Sequence, residues 1–263
     1  MWARLDVVNH VIENARIRAE IDPSLGARLH QLTIDGLELL GPDGCFPMVP
    51  WAGRIRDGLL HVNGETHELP RAADGNAIHG LGRKVEWEHV GDSVFRRHIG
   101  APWPTEGTAE LRYTLLDDGL RVELGWDDGS DLPCSIGLHP WFKRRLATGE
   151  DVDISLDIDE MVERGADGLP TGHLVAPKEQ PWDDCFRLGS SPVVTWPGAL
   201  QLTLSASTPW WVVFTEREHL VCAEPQTAPP DAFDHPSLQP GGAWPRHLWF
   251  EMRAAVATDR RAS

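Results

Sequence analysis

The chain is short of positive charge. Lysine and arginine number 24 against 40 aspartates and glutamates in 263 residues, a formal net charge of −16. A surface built for nucleic-acid phosphates or anionic lipid carries the opposite excess, so neither nucleic acid nor a membrane is expected as a partner. Cysteine is scarce as well: Cys45, Cys134, Cys185 and Cys222 are widely spaced, lie in apolar surroundings and form no CxxC pair, which points to reduced core thiols. No apolar run approaches the length of a membrane span, and the opening MWARLDVVNH has no apolar stretch behind a basic start, so a soluble, cytoplasmic protein is expected. HExxH, a Cys/His cluster at ligand spacing, GxSxG, a Walker A loop and a dinucleotide fingerprint are all missing. With those chemistries set aside, an acid/base reaction needing neither metal nor cofactor is what remains. Tyrosine occurs once, against 12 tryptophans. That balance favours broad aromatic faces of the kind that stack on sugar rings, although most tryptophans should serve the core.

What is present reads as β-structure. Alternating or β-branched segments recur at Val11 to Ile21, Ala27 to Ile34, Thr108 to Leu116, Leu120 to Trp126, Val152 to Ile158 and Leu200 to Ser207, and RHLWFEMRAAV reads as a last core strand before a polar tail. Asn63-Gly64 and Asp118-Gly119 sit between such segments as hairpin turns, so antiparallel pairing is predicted. Long capped amphipathic helices are absent; a short helix is expected near Trp182 to Phe186, and a long loop or flap from Arg164 to Pro181. With 41% hydrophobic residues the chain can bury a sizeable core, and the expectation is one mostly β domain over residues 1–263, as a monomer or weak homodimer.

Five stretches can carry chemistry. HLVCAEPQTAPPDAFDH places Glu224 where a strand should end, with Pro225, Pro229 and Pro230 stopping it, a suitable position for a general base. GLHPWF puts His139 at the end of CSIGL, with Pro140 fixing the exit and Trp141 and Phe142 forming an aromatic wall; an imidazole there can give and take protons, and a nearby carboxylate would favour its charged form. In GCFPMVPWAGRIRDG a rigid turn precedes Arg54, whose fork of donors can meet ligand oxygens. NAIHGLGRKVEW sets His79 against Gly80, where backbone can approach a ligand closely. WDDCF carries Asp183 and Asp184 beside aromatics. Each has a plainer role open to it: a solvent-facing glutamate, structural histidines, an arginine paired with Asp57 or another acid, a helix N-cap.

In order along the chain, PMVPWAGRIRDG, NAIHGLGRKVEW, GLHPWF, WDDCF and AEPQTAPPDAF resemble the signature segments of the aldose 1-epimerase (galactose mutarotase) family, from about Gly44 to Phe233. The resemblance implies a large antiparallel β-sandwich with a sugar site in an open cleft. It also implies Glu224 as catalytic base, His139 as the acid protonating the ring oxygen, and Arg54, His79 and Asp183 as residues that orient the sugar. One position departs from the family pattern: Gly53 stands where an asparagine usually precedes the arginine, removing one substrate hydrogen bond. A free aldose is the expected substrate, since the acidic chain would repel a phosphate dianion. The alternatives are a hexose-6-phosphate 1-epimerase, served by Arg54, Arg56, Arg83, Arg96 or Arg97, and a non-catalytic carbohydrate-binding protein on the same fold.

Overall fold

Asn63 and Gly64 both take positive φ, 52° and 78°, the two left-handed residues that a tight hairpin turn requires, and they join strands Leu59–Val62 and Glu65–Glu68 in antiparallel register. Asp118 likewise precedes the return from Gly107–Leu115 into Gly119–Asp127, which pair from Thr108 opposite Asp127 to Leu115 opposite Leu120. These hairpins belong to a computed structural model that describes residues 9–146 and 149–255. The polar tail and the last residue of RHLWFEMRAAV, Val256, lie outside the described residues; the strand itself runs His247–Ala255.

Two large antiparallel sheets carry the architecture. The smaller has eight strands. The larger has eleven, and its middle runs, by neighbour, Leu40–Met48, Gly137–Lys143, Leu220–Gln226, Trp210–Phe214, Asp183–Leu188 and Ile158–Arg164. Alternate side chains of these central strands face the smaller sheet. Leu138, Phe142, Trp211, Val213, Val221 and Ala223 join one buried apolar cluster with Leu124, Trp196, Leu202, Phe250 and Met252. Ring contacts cross the interface, Trp211 to Phe250 at 6.0 Å and Phe142 to Trp196 at 6.1 Å. Among the described residues no helix is long and apolar enough to cross a membrane, and the helical content is three short 3₁₀ turns at Arg56–Gly58, Ala232–Asp234 and Pro236–Leu238.

Several local expectations are corrected. Val11 to Ile21 is two strands, His10–Glu13 and Ile17–Asp22, because the Asn14 side chain accepts from the N–H groups of Arg16 and Ile17 and folds the chain back. Val152 to Ile158 divides into Asp153–Ser155 and the start of Ile158–Arg164. The stretch from Arg164 to Pro181 contains strand Pro170–Val175, paired with Ile158–Arg164 through a turn at Gly165 to Gly168. The helix expected at Trp182 to Phe186 is strand Asp183–Leu188, held between two neighbours in the ladder, where tertiary pairing overrides a weak N-cap signal. Nor do the prolines end strands: the glutamate strand continues through Pro225 to Gln226 and the histidine strand through Pro140 to Lys143. Proline's fixed φ suits an extended chain, and both prolines fall in the gap between the Gly137–Gln226 and Trp141–Cys222 pairs, where these two strands have no ladder pairs, with a register shift directly after Pro140.

All four cysteines are free and buried, and burial raises every thiol pKa, that of Cys134 to about 11.

Candidate active site

The other face of the larger sheet builds a cleft by register. Gly137 pairs with Gln226 and Trp141 with Cys222, which sets His139 opposite Glu224. Phe46 pairs with His139, Glu224 with Val212, and Val212 with Cys185, so one straight row crosses five strands as Phe46, His139, Glu224, Val212 and Cys185. A second row two residues along reads Trp141, Cys222, Phe214, Asp183. Period-two alternation explains the membership: every side chain in both rows points away from the inter-sheet core. Phe142, expected in the aromatic wall, is therefore excluded from it and packs fully buried on the core side. Phe46 supplies the ring in its place.

At the centre, His139 Nε2 lies 3.2 Å from Glu224 Oε1, with His139 5% and Glu224 2% exposed. The imidazole is stacked between two aromatic rings, Phe46 at 4.5 Å and Trp141 at 4.9 Å, each tilted by 29°, and Cys222 Sγ stands 3.7 Å from its Nδ1. Gln226 Nε2 donates to Glu224 Oε2 at 3.4 Å. Burial acts on both members of the pair: it pushes Glu224 well above the ordinary carboxylate range, with Asp183 adding repulsion, and holds His139 down to about 3, with Arg83 and Arg217 opposing its charge. Carboxylate proximity thus does not win at His139, because desolvation outweighs it. Two sites at this distance titrate as a unit.

His79 stands edge-on to His139, ring centroids 5.0 Å apart at 90°. Its backbone takes φ 60°, a strained conformation for a non-glycine residue, and its N–H donates to Gly53 O at 2.9 Å. Gly80 follows at φ 71°, and a Cβ there would stand 2.1 Å from Val49 O, so only glycine lets the two segments meet. Burial, and then His139, hold His79 well below the usual imidazole pKa. His79 Nδ1 and Gln226 Oε1 are buried polar atoms with no partner, and both residues line the cleft.

The cleft encloses a cavity of about 370 Å³, a size suited to a small ligand. All six residues singled out in the sequence, Glu224, His139, Arg54, His79, Asp183 and Trp141, line it. Arg54 is paired with Asp74, not Asp57, through Nε at 2.7 Å, and Asp183 with Arg164 at 3.1 Å. Trp141 has one face on His139 and the other under the Arg217 guanidinium at 4.2 Å, leaving its edge for a ligand. Gly53, at φ 66°, packs so closely on Pro230 that an added Cβ would lie 2.6 Å from that ring. An asparagine does not fit this backbone. Phe46, Gln226 and Arg217 were not singled out in the sequence. Gln226 had a signal, two residues beyond Glu224 on the same strand face, whereas Phe46 and Arg217 reach the site through pairings distant in sequence.

The sequence profile of the family described as Aldose 1-epimerase matches residues 10–251. The uncharacterised Escherichia coli K12 protein YihR is 24% identical over 251 residues, covering 80% of this chain and 81% of its own. Among solved structures, an Escherichia coli K12 protein provisionally named an aldose 1-epimerase superposes with a TM-score of 0.80 at 17% identity, over 95% of this chain and 99% of that one. Galactose 1-epimerase from Lactobacillus acidophilus NCFM gives 0.76 at 15% identity, over 95% of both chains.

Proposed function

The chain belongs to the aldose 1-epimerase family, and from that membership we propose that it interconverts the α and β anomers of an aldose at the Glu224–His139 pair. The observation that carries this reading is a carboxyl and an imidazole, both buried, 3.2 Å apart in a cavity of sugar size. Opening a cyclic hemiacetal removes the proton from O1 and delivers one to O5 as the C1–O5 bond breaks, leaving the open-chain aldehyde. Rotation about C1–C2 turns the other carbonyl face toward the ring-closing oxygen, and the reverse transfers restore a hemiacetal of the opposite anomer. One proton and two sites suffice.

In the unliganded pair, burial favours neutral imidazole and protonated carboxyl. A sugar entering the contact brings hydroxyl donors to the carboxylate and shifts the proton to His139, giving the base at O1 and the acid at O5. His79 Nδ1 and Gln226 Oε1, unpartnered in the cleft, would receive sugar hydroxyls. Arg54 and Asp183, each already held by an ion pair, would offer their remaining polar atoms in fixed positions.

The test is polarimetry or NMR of anomer interconversion, measured above the uncatalysed rate. Glu224→Gln keeps shape and one hydrogen-bonding oxygen but cannot accept the proton, and His139→Asn cannot exchange one. Each should lose at least about 10²–10⁴-fold in kcat, the usual worth of one positioned acid or base, with modest loss of sugar binding by calorimetry. Turnover within a few-fold of wild type in either variant would remove that residue from its role.

A further inference from the structure

Arg54 and His79 reach the cleft from a ladder of two residues per strand. Arg54–Ile55 runs antiparallel to Ala77–Ile78, with Arg54 opposite Ile78 and Ile55 opposite Ala77, and His79 follows directly to donate its N–H to Gly53 O at 2.9 Å. Backbone groups alternate from side to side along a strand, so the groups turned away from Ala77–Ile78 are the Arg54 carbonyl and the Arg56 N–H. A ladder this short does not hold itself, and its free edge needs partners.

Asp231 supplies both from a single residue. Its N–H donates to Arg54 O at 2.9 Å, and its side-chain Oδ1 accepts from Arg56 N–H, also at 2.9 Å. The carboxylate oxygen thus stands where the carbonyl of a third strand would be. Asp231 is 1% exposed and takes φ 57° and ψ 16°, a left-handed conformation that aspartate tolerates better than most residues. Its surroundings belong to the walls of the site. Pro230, beside it, packs on Gly53 and lines the cavity, while the Arg56 guanidinium is paired with the Asp167 carboxylate and donates to Pro170 O at 3.2 Å, in a turn that lines the cavity from Gly168 to Pro170. Asp231 itself stands outside the cavity lining. Its second oxygen is held less closely: Oδ2 lies 3.4 Å from Arg56 Nε and 3.5 Å from His235 Nε2, and both Oδ2 and that nitrogen are buried without a hydrogen bond. The bonded geometry is all on Oδ1, which makes shape at this residue matter more than charge.

We infer that Asp231 is a positioning residue of the sugar site: by bridging Arg54 O and Arg56 N–H it fixes the short ladder that presents Arg54 and His79 to the sugar. This rests on the epimerase reading above. Glu224 and His139 are set by the register of the large sheet, which Asp231 does not join. The bridge therefore acts on how the sugar is held and leaves the proton transfers to the sheet.

The test sets geometry against charge. Asp231→Asn keeps the accepting oxygen and suits the left-handed backbone while removing the charge. Asp231→Glu keeps the charge and carries it one methylene too far, and Asp231→Gly accepts the backbone conformation and removes the bridge. Anomerisation and calorimetric binding of glucose, galactose and their 6-phosphates are measured for each, together with hydrogen exchange at the Arg56 and His79 amides. Asp231→Gly and Asp231→Glu should raise KM and Kd about tenfold or more, the usual cost of one misplaced polar group, with kcat within about threefold of the parent. Both amides should exchange faster in those two variants, and Asp231→Asn should stay near the parent throughout. Equal losses in Asp231→Asn and Asp231→Gly would give the role to the charge and overturn the inference. Unchanged exchange at both amides in Asp231→Gly, or faster exchange with Kd unmoved, would overturn it as well. Should Asp231→Gly fail to fold, the contrast between Asp231→Glu and Asp231→Asn decides. A wild-type protein that binds sugar without turning it over would overturn the epimerase reading instead, and Kd would still report on the bridge.

Discussion

Glu224 is a carboxyl placed where ionisation is expensive, and that has a thermodynamic signature separable from catalysis. In the unfolded chain it ionises in the ordinary carboxylate range; in the fold, burial and Asp183 hold its pKa well above that. Between those limits the native state binds more protons than the unfolded one, so its contribution to stability falls as pH rises through the window and is constant outside it. Glu224→Gln has no such dependence. The variant should therefore melt higher than the parent above about pH 5, the carboxylate range of the unfolded chain, with a gap that widens toward alkaline pH at up to about 1.4 kcal/mol per unit until Glu224 ionises in the fold. Thermal melts from pH 5 to 9 read this directly, and parallel curves would mean that Glu224 is ionised throughout. The residue types at the site were legible in the sequence: an acid after an apolar run, a histidine before Pro140, Arg54 after a rigid turn. Their charge states were not, because a pKa set by desolvation depends on what three distant segments place around the group. Proximity favoured a charged imidazole, and burial reversed it.

At the level of elements, the sheet register does what prolines were expected to do. His139 is fixed less by the exit at Pro140 than by rings from its neighbours in space: Phe46 directly opposite on Leu40–Met48 and Trp141 two residues along its own strand. Flat rings on both faces leave an imidazole few orientations, which keeps Nε2 on the carboxyl. Phe46→Leu keeps apolar bulk but loses the plane. Stability should fall by about 1–2 kcal/mol, a partial large-to-small loss well short of a truncation to alanine, while kcat should drop about tenfold or more with KM less affected, since a displaced reacting group costs rate steeply. A loss confined to KM would mean that the ring touches the sugar rather than steadying the histidine. Hairpins were readable because two adjacent residues decide a turn, as at Asn63-Gly64. The strand at Asp183–Leu188 was not readable, since its ladder partners at Ile158–Arg164 and Trp210–Phe214 lie beyond any local window, and the acids within it resemble a cap.

For the whole molecule, the β class and antiparallel pairing could be read from the sequence, but the order of strands could not. The site exists because Leu40–Met48, Gly137–Lys143 and Leu220–Gln226 lie side by side, pairings separated by about ninety residues at each step, and such non-local contacts form only when the sheet closes. That closure has a consequence for the thiols. Cys45, Cys185 and Cys222 belong to three strands of the same sheet, all are buried, and their pKa values are raised, so the thiolate that alkylating reagents attack is both rare and shielded. The native protein should react with iodoacetamide or a maleimide far more slowly than the denatured chain, and the rate should follow the opening of the sheet rather than encounter with the reagent. Mass spectrometry after timed labelling would show whether the three react together or one ahead of the others. Prompt modification of all three under native conditions would mean that the sheet carrying the cleft breathes freely on both faces; slow, simultaneous modification would make the chain's own cysteines a clock for the unfolding of its active site.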